Sequence, residues 1–126
     1  MKRKAVIFIV LFGTLTFGAA YAQKAYNGRE VIAIQQNSQT ALSQAQNAVA
    51  RLDFVGAKKA ISRIMRGEGM LTQMNAPGGR PGEWKRKHQA VCLACMLGYE
   101  AAKHQNLAKL QASLKRIQTC LTLENQ

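Results

Sequence analysis

The sequence has 126 residues, of which 48% are hydrophobic and 6% aromatic, and its 18 Lys and Arg outnumber its 6 Asp and Glu to give a formal net charge of +12 at pH 7. This length supports one small domain. The hydrophobic fraction excludes a disordered basic tail, the 10 glycines exclude a collagen-like repeat, and the few aromatic residues leave little material for a large ligand pocket.

The amino terminus has the three-part pattern of a secretory signal peptide. The basic segment 1–4 precedes an uncharged apolar stretch from Ala5 to Phe17, and small residues at Ala20 and Ala22 suit a signal peptidase. We therefore predict a signal peptide over 1–22, cleaved near Ala22, and a mature chain that is periplasmic or secreted and has no transmembrane span. The alternative is an uncleaved membrane anchor, because the apolar stretch approaches the roughly 20 residues that a membrane span needs.

The first part of the mature chain predicts a helical hairpin over 29–66. Apolar residues from Arg29 to Leu52 recur at helical rather than alternating spacing. A second apolar stripe starts at Phe54 and lies on a different side of the helical wheel. Asp53, a residue type that favours the N-cap position, lies between the two stripes and predicts a break between two antiparallel helices.

Residues 67–83 predict a linker, because they contain five glycines and both prolines of the chain. A second hairpin is predicted over 84–123, with a turn at residues 104–106 and Asn106 as the N-cap of its second helix. The fold class is therefore all-α. Two antiparallel helical hairpins pack as a small four-helix bundle in a single domain over 23–126, and a fragment of a helical-repeat scaffold is the alternative.

Three cysteines lie in the second hairpin, and export would place them in an oxidising compartment. A turn centred near residue 105 or 106 puts Cys92 about level with Cys120, so we predict a Cys92–Cys120 disulfide that joins the last two helices. Cys95 is then a free thiol that packs in the core. Pairing of Cys95 with Cys120 is the alternative.

The same cysteines, with one histidine, form a candidate metal site. His88, Cys92 and Cys95 share one helix face, and Cys120 on the neighbouring helix would complete a three-Cys, one-His ligand set for zinc or copper. Oxidation of the thiols in an exported protein competes with this interpretation, which is kept as the alternative function.

A basic segment with one tryptophan is the candidate partner-binding site. Arg80, Trp84, Lys85, Arg86 and Lys87 follow the glycine-rich stretch and could contact an anion or an acidic partner. Cations at a helix N-terminus oppose the helix dipole, which is a reason to expect a use for them.

No catalytic motif is present, since the sequence lacks GxSxG, HExxH and a phosphate-binding loop. The sequence therefore predicts a non-enzymatic, exported interaction protein without a cofactor, an accessory component of a bacterial envelope or secretion/transfer complex. It would bind an envelope protein or an anionic surface. Export disfavours nucleic acid as the partner, and no sequence feature indicates an oligomeric state.

Overall fold

The computed structural model describes residues 25–74 and 81–124. The predicted signal peptide over 1–22 and Arg80 lie outside these ranges. The described residues form four α-helices: α1 (Gly28–Ala50), α2 (Phe54–Thr72), α3 (Pro81–Lys103) and α4 (Leu107–Glu124). They contain no strand, so the all-α prediction is confirmed.

The helices pack antiparallel, each against the next along the chain. Glu68 near the end of α2 contacts His88 near the start of α3, and His88 in turn lies beside Glu124 at the end of α4. Further along, Gly98 of α3 lies against Ile61 of α2. Weaker contacts between α1 and α4 complete the arrangement, which suits a four-helix bundle.

The turns that join the two helices of each hairpin have the same backbone geometry. Leu52 and Gln105 adopt the left-handed conformation, with φ of 58° and 55°. In both turns the next N–H donates to the carbonyl five residues earlier, at an N···O distance of 2.8 Å. This pattern is typical of a helix that ends on a left-handed residue, and the short connection forces the next helix to run back along the first.

Each turn leads directly into an N-cap, as the sequence predicts. The Asp53 carboxylate accepts a hydrogen bond from the Gly56 N–H at 2.9 Å, and the Asn106 side chain accepts one from the Lys109 N–H at 3.1 Å. These bonds satisfy backbone donors that have no partner within a helix. The helix boundaries at these two positions are therefore set by local chemistry.

The core lies along the bundle axis and is built from small and branched side chains. Gly98 allows α3 to approach both neighbours, because a Cβ there would lie 3.2 Å from Ile61 Cδ1 and from Ser113 Cβ. The fully buried larger apolar residues around it are Ile61, Ile64, Val91, Leu110, Ile117 and Leu121. Their burial supplies the main driving force for folding.

The predicted linker over 67–83 is too long at both ends. α2 continues to Thr72, and α3 already begins at Pro81. Gly67 indicates a close helix contact rather than a linker, since a Cβ there would lie 3.0 Å from Ile34 Cγ2 of α1. Pro81 fits the first position of a helix, where its missing N–H has no intrahelical partner to lose.

None of the helices in the described ranges is long and apolar enough to cross a membrane. The predicted absence of a span in the mature chain agrees with this finding.

Substitution Asn106→Ala is expected to destabilise the domain by about 1 kcal/mol, because the first turn of α4 loses its side-chain cap. The free energy of unfolding, measured by urea titration with circular dichroism, tests this. Asn47→Ala is the matched control, since Asn47 is exposed in the middle of α1 and Ala favours a helix. An equal loss of stability in both variants would contradict the capping role.

Candidate functional site

A buried polar cluster of three side chains lies at the end of the bundle opposite the two turns. It consists of Glu68 of α2, His88 of α3 and Glu124 of α4, which are 0%, 1% and 9% exposed. His88 Nδ1 lies 2.8 Å from Glu68 Oε1 and 3.3 Å from Glu124 Oε2. One imidazole nitrogen therefore faces a carboxylate from each neighbouring helix.

Helix positions bring these residues together. Glu68 is in the last two turns of α2, His88 is in the second turn of α3, and Glu124 is the last residue of α4. Because neighbouring helices run antiparallel, all three positions fall at the same end of the bundle. Each side chain lies on the inward face of its helix.

Trp84 holds the histidine in place. Its indole Nε1 donates a hydrogen bond to the Leu71 carbonyl at 2.7 Å, and its ring packs edge-on against the His88 ring with centroids 4.4 Å apart. The Tyr26 ring packs edge-on against Trp84, with the two ring centroids 5.9 Å apart. The His88 imidazole thus has the Trp84 ring as one neighbour and the two carboxylates as the others.

The cluster has more acceptor atoms than donors. Within the described residues, Glu68 Oε2 and Glu124 Oε1 are buried without a hydrogen-bond partner, and Glu124 Oε2 has only its ion pair with His88 Nδ1 at 3.3 Å. Leaving a buried polar atom without a partner costs about 1–3 kcal/mol, and more for a charged group. The protein thus carries a local energetic cost that a hydrophobic core would avoid.

The two hairpins differ in polarity at corresponding positions. The hairpins correspond at an offset of 53 residues, which aligns the N-caps Asp53 and Asn106. At the same offset Glu68 corresponds to Leu121, and Glu124 corresponds to Leu71. Both leucines are buried. The corresponding positions thus hold leucine in one hairpin and a carboxylate in the other.

Burial and the neighbouring charges shift two pKa values strongly. Burial raises the pKa of Glu68 to about 7, and Glu124 adds to this increase while His88 opposes it. Burial alone would lower the pKa of His88, but contacts with Glu124 and Glu68 outweigh burial and raise that pKa to about 9. At neutral pH the imidazole is therefore a cation held between the two carboxyl groups.

The arrangement has the ligand types of a metal centre. One oxygen from each carboxylate and one imidazole nitrogen all lie within 4.8 Å of one another. Nitrogen and carboxylate oxygen are ligands for divalent transition metals such as zinc. Three ligands from three helices would leave further coordination positions for water.

The predicted metal set is brought together only in part. His88 lies in the cluster, but its nearest potential ligands are carboxylates rather than thiols. Cys92 Sγ lies 3.9 Å from the Met65 carbonyl oxygen of α2, Cys95 is fully buried in the core, and Cys120 is half-buried on α4. The described structure does not gather His88, Cys92, Cys95 and Cys120 around one point.

The predicted Cys92–Cys120 disulfide is absent from this structure, in which all three cysteines are free and no pair is at disulfide distance. The predicted register is right, because both cysteines lie four residues closer to the turn than the His88–Glu124 pair. The predicted facing is wrong, since Cys92 Sγ points to α2 rather than to α4. Burial raises the pKa of Cys92 to about 11, with Glu68 and Glu124 adding to the increase.

The predicted basic segment divides into two parts. Lys85 and Arg86 are exposed, and Lys87 is half-buried, whereas Trp84 turns inward to the cluster. Trp84 is therefore not available as part of an exposed anion-binding surface. Arg80 lies outside the described residues.

Two features of the protein were not predicted from the sequence, and the first is the pair of buried carboxylates. Glu68 follows Ile61 and Ile64 on the apolar stripe, and Glu124 follows Ile117 and Leu121 at equivalent spacing. An acidic residue at a core position is the signal that could have identified them. The second feature is an exposed apolar patch on the outer side of α3.

The raised pKa values predict that stability decreases as the pH rises. Folding favours protonated Glu68 and protonated His88, so their contribution is present at low pH. That contribution is lost between about 4.5 and 7 for Glu68 and between about 6.5 and 9 for His88. The free energy of unfolding from urea titrations should fall from pH 5 to pH 9.

Glu68→Gln should flatten the decrease between pH 5 and pH 7, because glutamine does not titrate. Glu100→Gln is the control, since Glu100 is exposed and pairs with the exposed His104. A wild-type stability that rises over this range would contradict the assignment. NMR titration of the His88 ring measures its pKa directly.

The chain was compared with known families, curated proteins and solved structures. No known family, curated protein or solved structure matches the chain. Function must therefore be inferred from the buried cluster and from the surface of the bundle.

Proposed function

We propose that this is an exported, non-catalytic helical interaction protein, an accessory component of a bacterial envelope or secretion/transfer complex. It binds an acidic protein partner through the outer face of α3. The signal-peptide pattern supports export, and an exposed apolar patch on α3 is the observation that carries the binding proposal.

The apolar patch consists of Leu93, Met96 and Leu97. These side chains are 60%, 55% and 58% exposed, and they lie within four residues of one another on the outer side of α3. The outer side of a bundle helix is normally polar, because only its inner stripe packs in the core. Contiguous exposed apolar side chains are typical of a surface that another molecule covers.

Basic side chains flank the patch toward the start of the same helix. Arg86 precedes Leu93 by seven residues, which places it two turns away, about 10 Å along the axis, and Lys85 lies beside it. Both are exposed. An apolar centre next to cations fits a partner surface with an apolar groove and neighbouring carboxylates, where the charges orient the encounter.

The whole surface is more basic than the net charge indicates. In residues 25–74 and 81–124, 13 Lys and Arg stand against 6 Asp and Glu, and none of the cations is buried. Two of those six carboxylates, Glu68 and Glu124, are in the core. Such a surface attracts an acidic partner over a distance comparable to the Debye length.

Photo-cross-linking in the envelope of the native host tests the proposal. A photoreactive amino acid is placed at Leu93 or Leu97 of the full-length chain. We expect a discrete adduct with one acidic protein from both positions, identified by mass spectrometry. The control position is Gln118, which is exposed on α4 and should give no such adduct.

Charge reversal tests whether partner binding depends on the basic segment itself or on the net charge of the protein. Lys85→Glu with Arg86→Glu should reduce the adduct at least fivefold. Lys109→Glu with Lys115→Glu makes the same change in net charge on the exposed side of α4 and should leave it unchanged. Adducts of equal yield from α3 and α4 would contradict the proposal, and adducts with anionic lipid alone would assign the patch to a membrane surface.

A further inference from the structure

We propose that Glu68, His88 and Glu124 form a binding site for one divalent transition-metal ion, with Zn²⁺ as the ligand. This site is independent of the outer face of α3 and of the cysteine set that the sequence indicated. It uses one carboxylate from α2, one imidazole nitrogen from α3 and one carboxylate from α4.

The spacing of the ligand atoms suits a metal ion. His88 Nδ1 lies 2.8 Å from Glu68 Oε1 and 3.3 Å from Glu124 Oε2. Adjacent ligands around an ion with bonds of about 2.0–2.2 Å are themselves about 3.0–3.5 Å apart. All three ligand atoms lie within 4.8 Å of one another, so small side-chain rotations would close the set around an ion.

The unpartnered oxygens point to a missing positive ligand. Among the described residues, Glu68 Oε2 and Glu124 Oε1 are buried without a hydrogen-bond partner, and Glu124 Oε2 has only its ion pair with His88 Nδ1. Two carboxylates carry two negative charges, of which a protonated His88 balances one. A divalent cation that displaces the proton from the imidazole nitrogen balances both. At the corresponding positions the other hairpin has the buried residues Leu121 and Leu71.

The surroundings supply support and access. Trp84 packs edge-on against the His88 ring and is itself held by its hydrogen bond to the Leu71 carbonyl, so it limits the movement of the imidazole. Glu124 also lines an open cleft of about 260 Å³ between α3 and α4, together with Cys120 and the cationic side chains Arg86 and Lys87. The Glu124 oxygens are themselves buried, so an ion that enters through this cleft reaches them when the Glu124 side chain rotates.

The chemistry of the donor set selects the class of metal. Calcium takes six to eight oxygen ligands, whereas this cluster offers two carboxylates and a nitrogen. Copper(I) prefers thiolate and thioether ligands, which do not lie in the cluster. Zn²⁺ accepts nitrogen and carboxylate oxygen in a set of three protein ligands with an open position.

The test is metal binding by the mature chain, residues 23–126, under reducing conditions after removal of bound metal with a chelator. Isothermal titration with Zn²⁺ should give one site per chain, and saturating Zn²⁺ should raise the unfolding temperature because the ligands converge only in the folded protein. Co²⁺, used as a spectroscopic probe, should show d–d bands without a thiolate charge-transfer band.

Variants locate the site. Glu68→Gln and Glu124→Gln keep the shape of the side chain and should each weaken Zn²⁺ binding at least tenfold. Glu100→Gln and His104→Gln, at an exposed pair of the same residue types, should bind as the wild type does. Circular dichroism confirms that each variant is folded, and Glu68→Gln serves if Glu124→Gln fails to fold.

A triple variant with Cys92→Ser, Cys95→Ala and Cys120→Ser separates this site from the thiols. It should retain Zn²⁺ affinity within threefold. Loss of binding in the triple variant, unchanged binding in a folded Glu68→Gln variant, or no Zn²⁺ bound by the folded wild-type chain would each overturn the proposal.

Discussion

The antiparallel register set by two short turns determines which residues meet in this protein. Leu52 and Gln105 adopt the same left-handed conformation, and each is followed by an N-cap residue. Because three-residue connections leave little freedom, the helices return along each other with a defined offset. That offset aligns the core, and it also brings Glu68, His88 and Glu124 together at the opposite end of the bundle. The polar cluster is thus a consequence of turn chemistry far from it.

The bundle keeps this cluster at an energetic cost. Buried carboxylate oxygens without a hydrogen-bond partner destabilise a fold, and the free energy of unfolding of a small domain is only about 5–15 kcal/mol. Leucines at the corresponding positions of the other hairpin show the hydrophobic alternative. Retention of charge at such positions is typical of sites with a function. The same burial removes two carboxylates from the surface, which leaves the exterior strongly basic.

Much of the fold could be predicted from the sequence, because helix periodicity and capping are local. The stripes in 29–52, the breaks at Asp53 and Asn106, and the level of Cys92 relative to Cys120 all follow from spacing along one chain. The extent of α2 could not be predicted in this way, because Gly67 reads as a helix breaker until Ile34 of α1 is placed against it. The prediction of a Cys92–Cys120 disulfide failed for a similar reason. A helical wheel shows which side of α3 is buried but not which part of that side faces α2 and which part faces α4.

The sequence by itself determined the helical class, the two turns and the basic character, since each depends on residue type and on spacing within a few turns. Only the tertiary structure decided the neighbours of His88. Glu68 and Glu124 are 20 and 36 residues away from it, and their approach depends on three helices packing in one register. The exposure of Leu93, Met96 and Leu97 was likewise decided by packing, because it depends on which side of α3 the neighbouring helices cover.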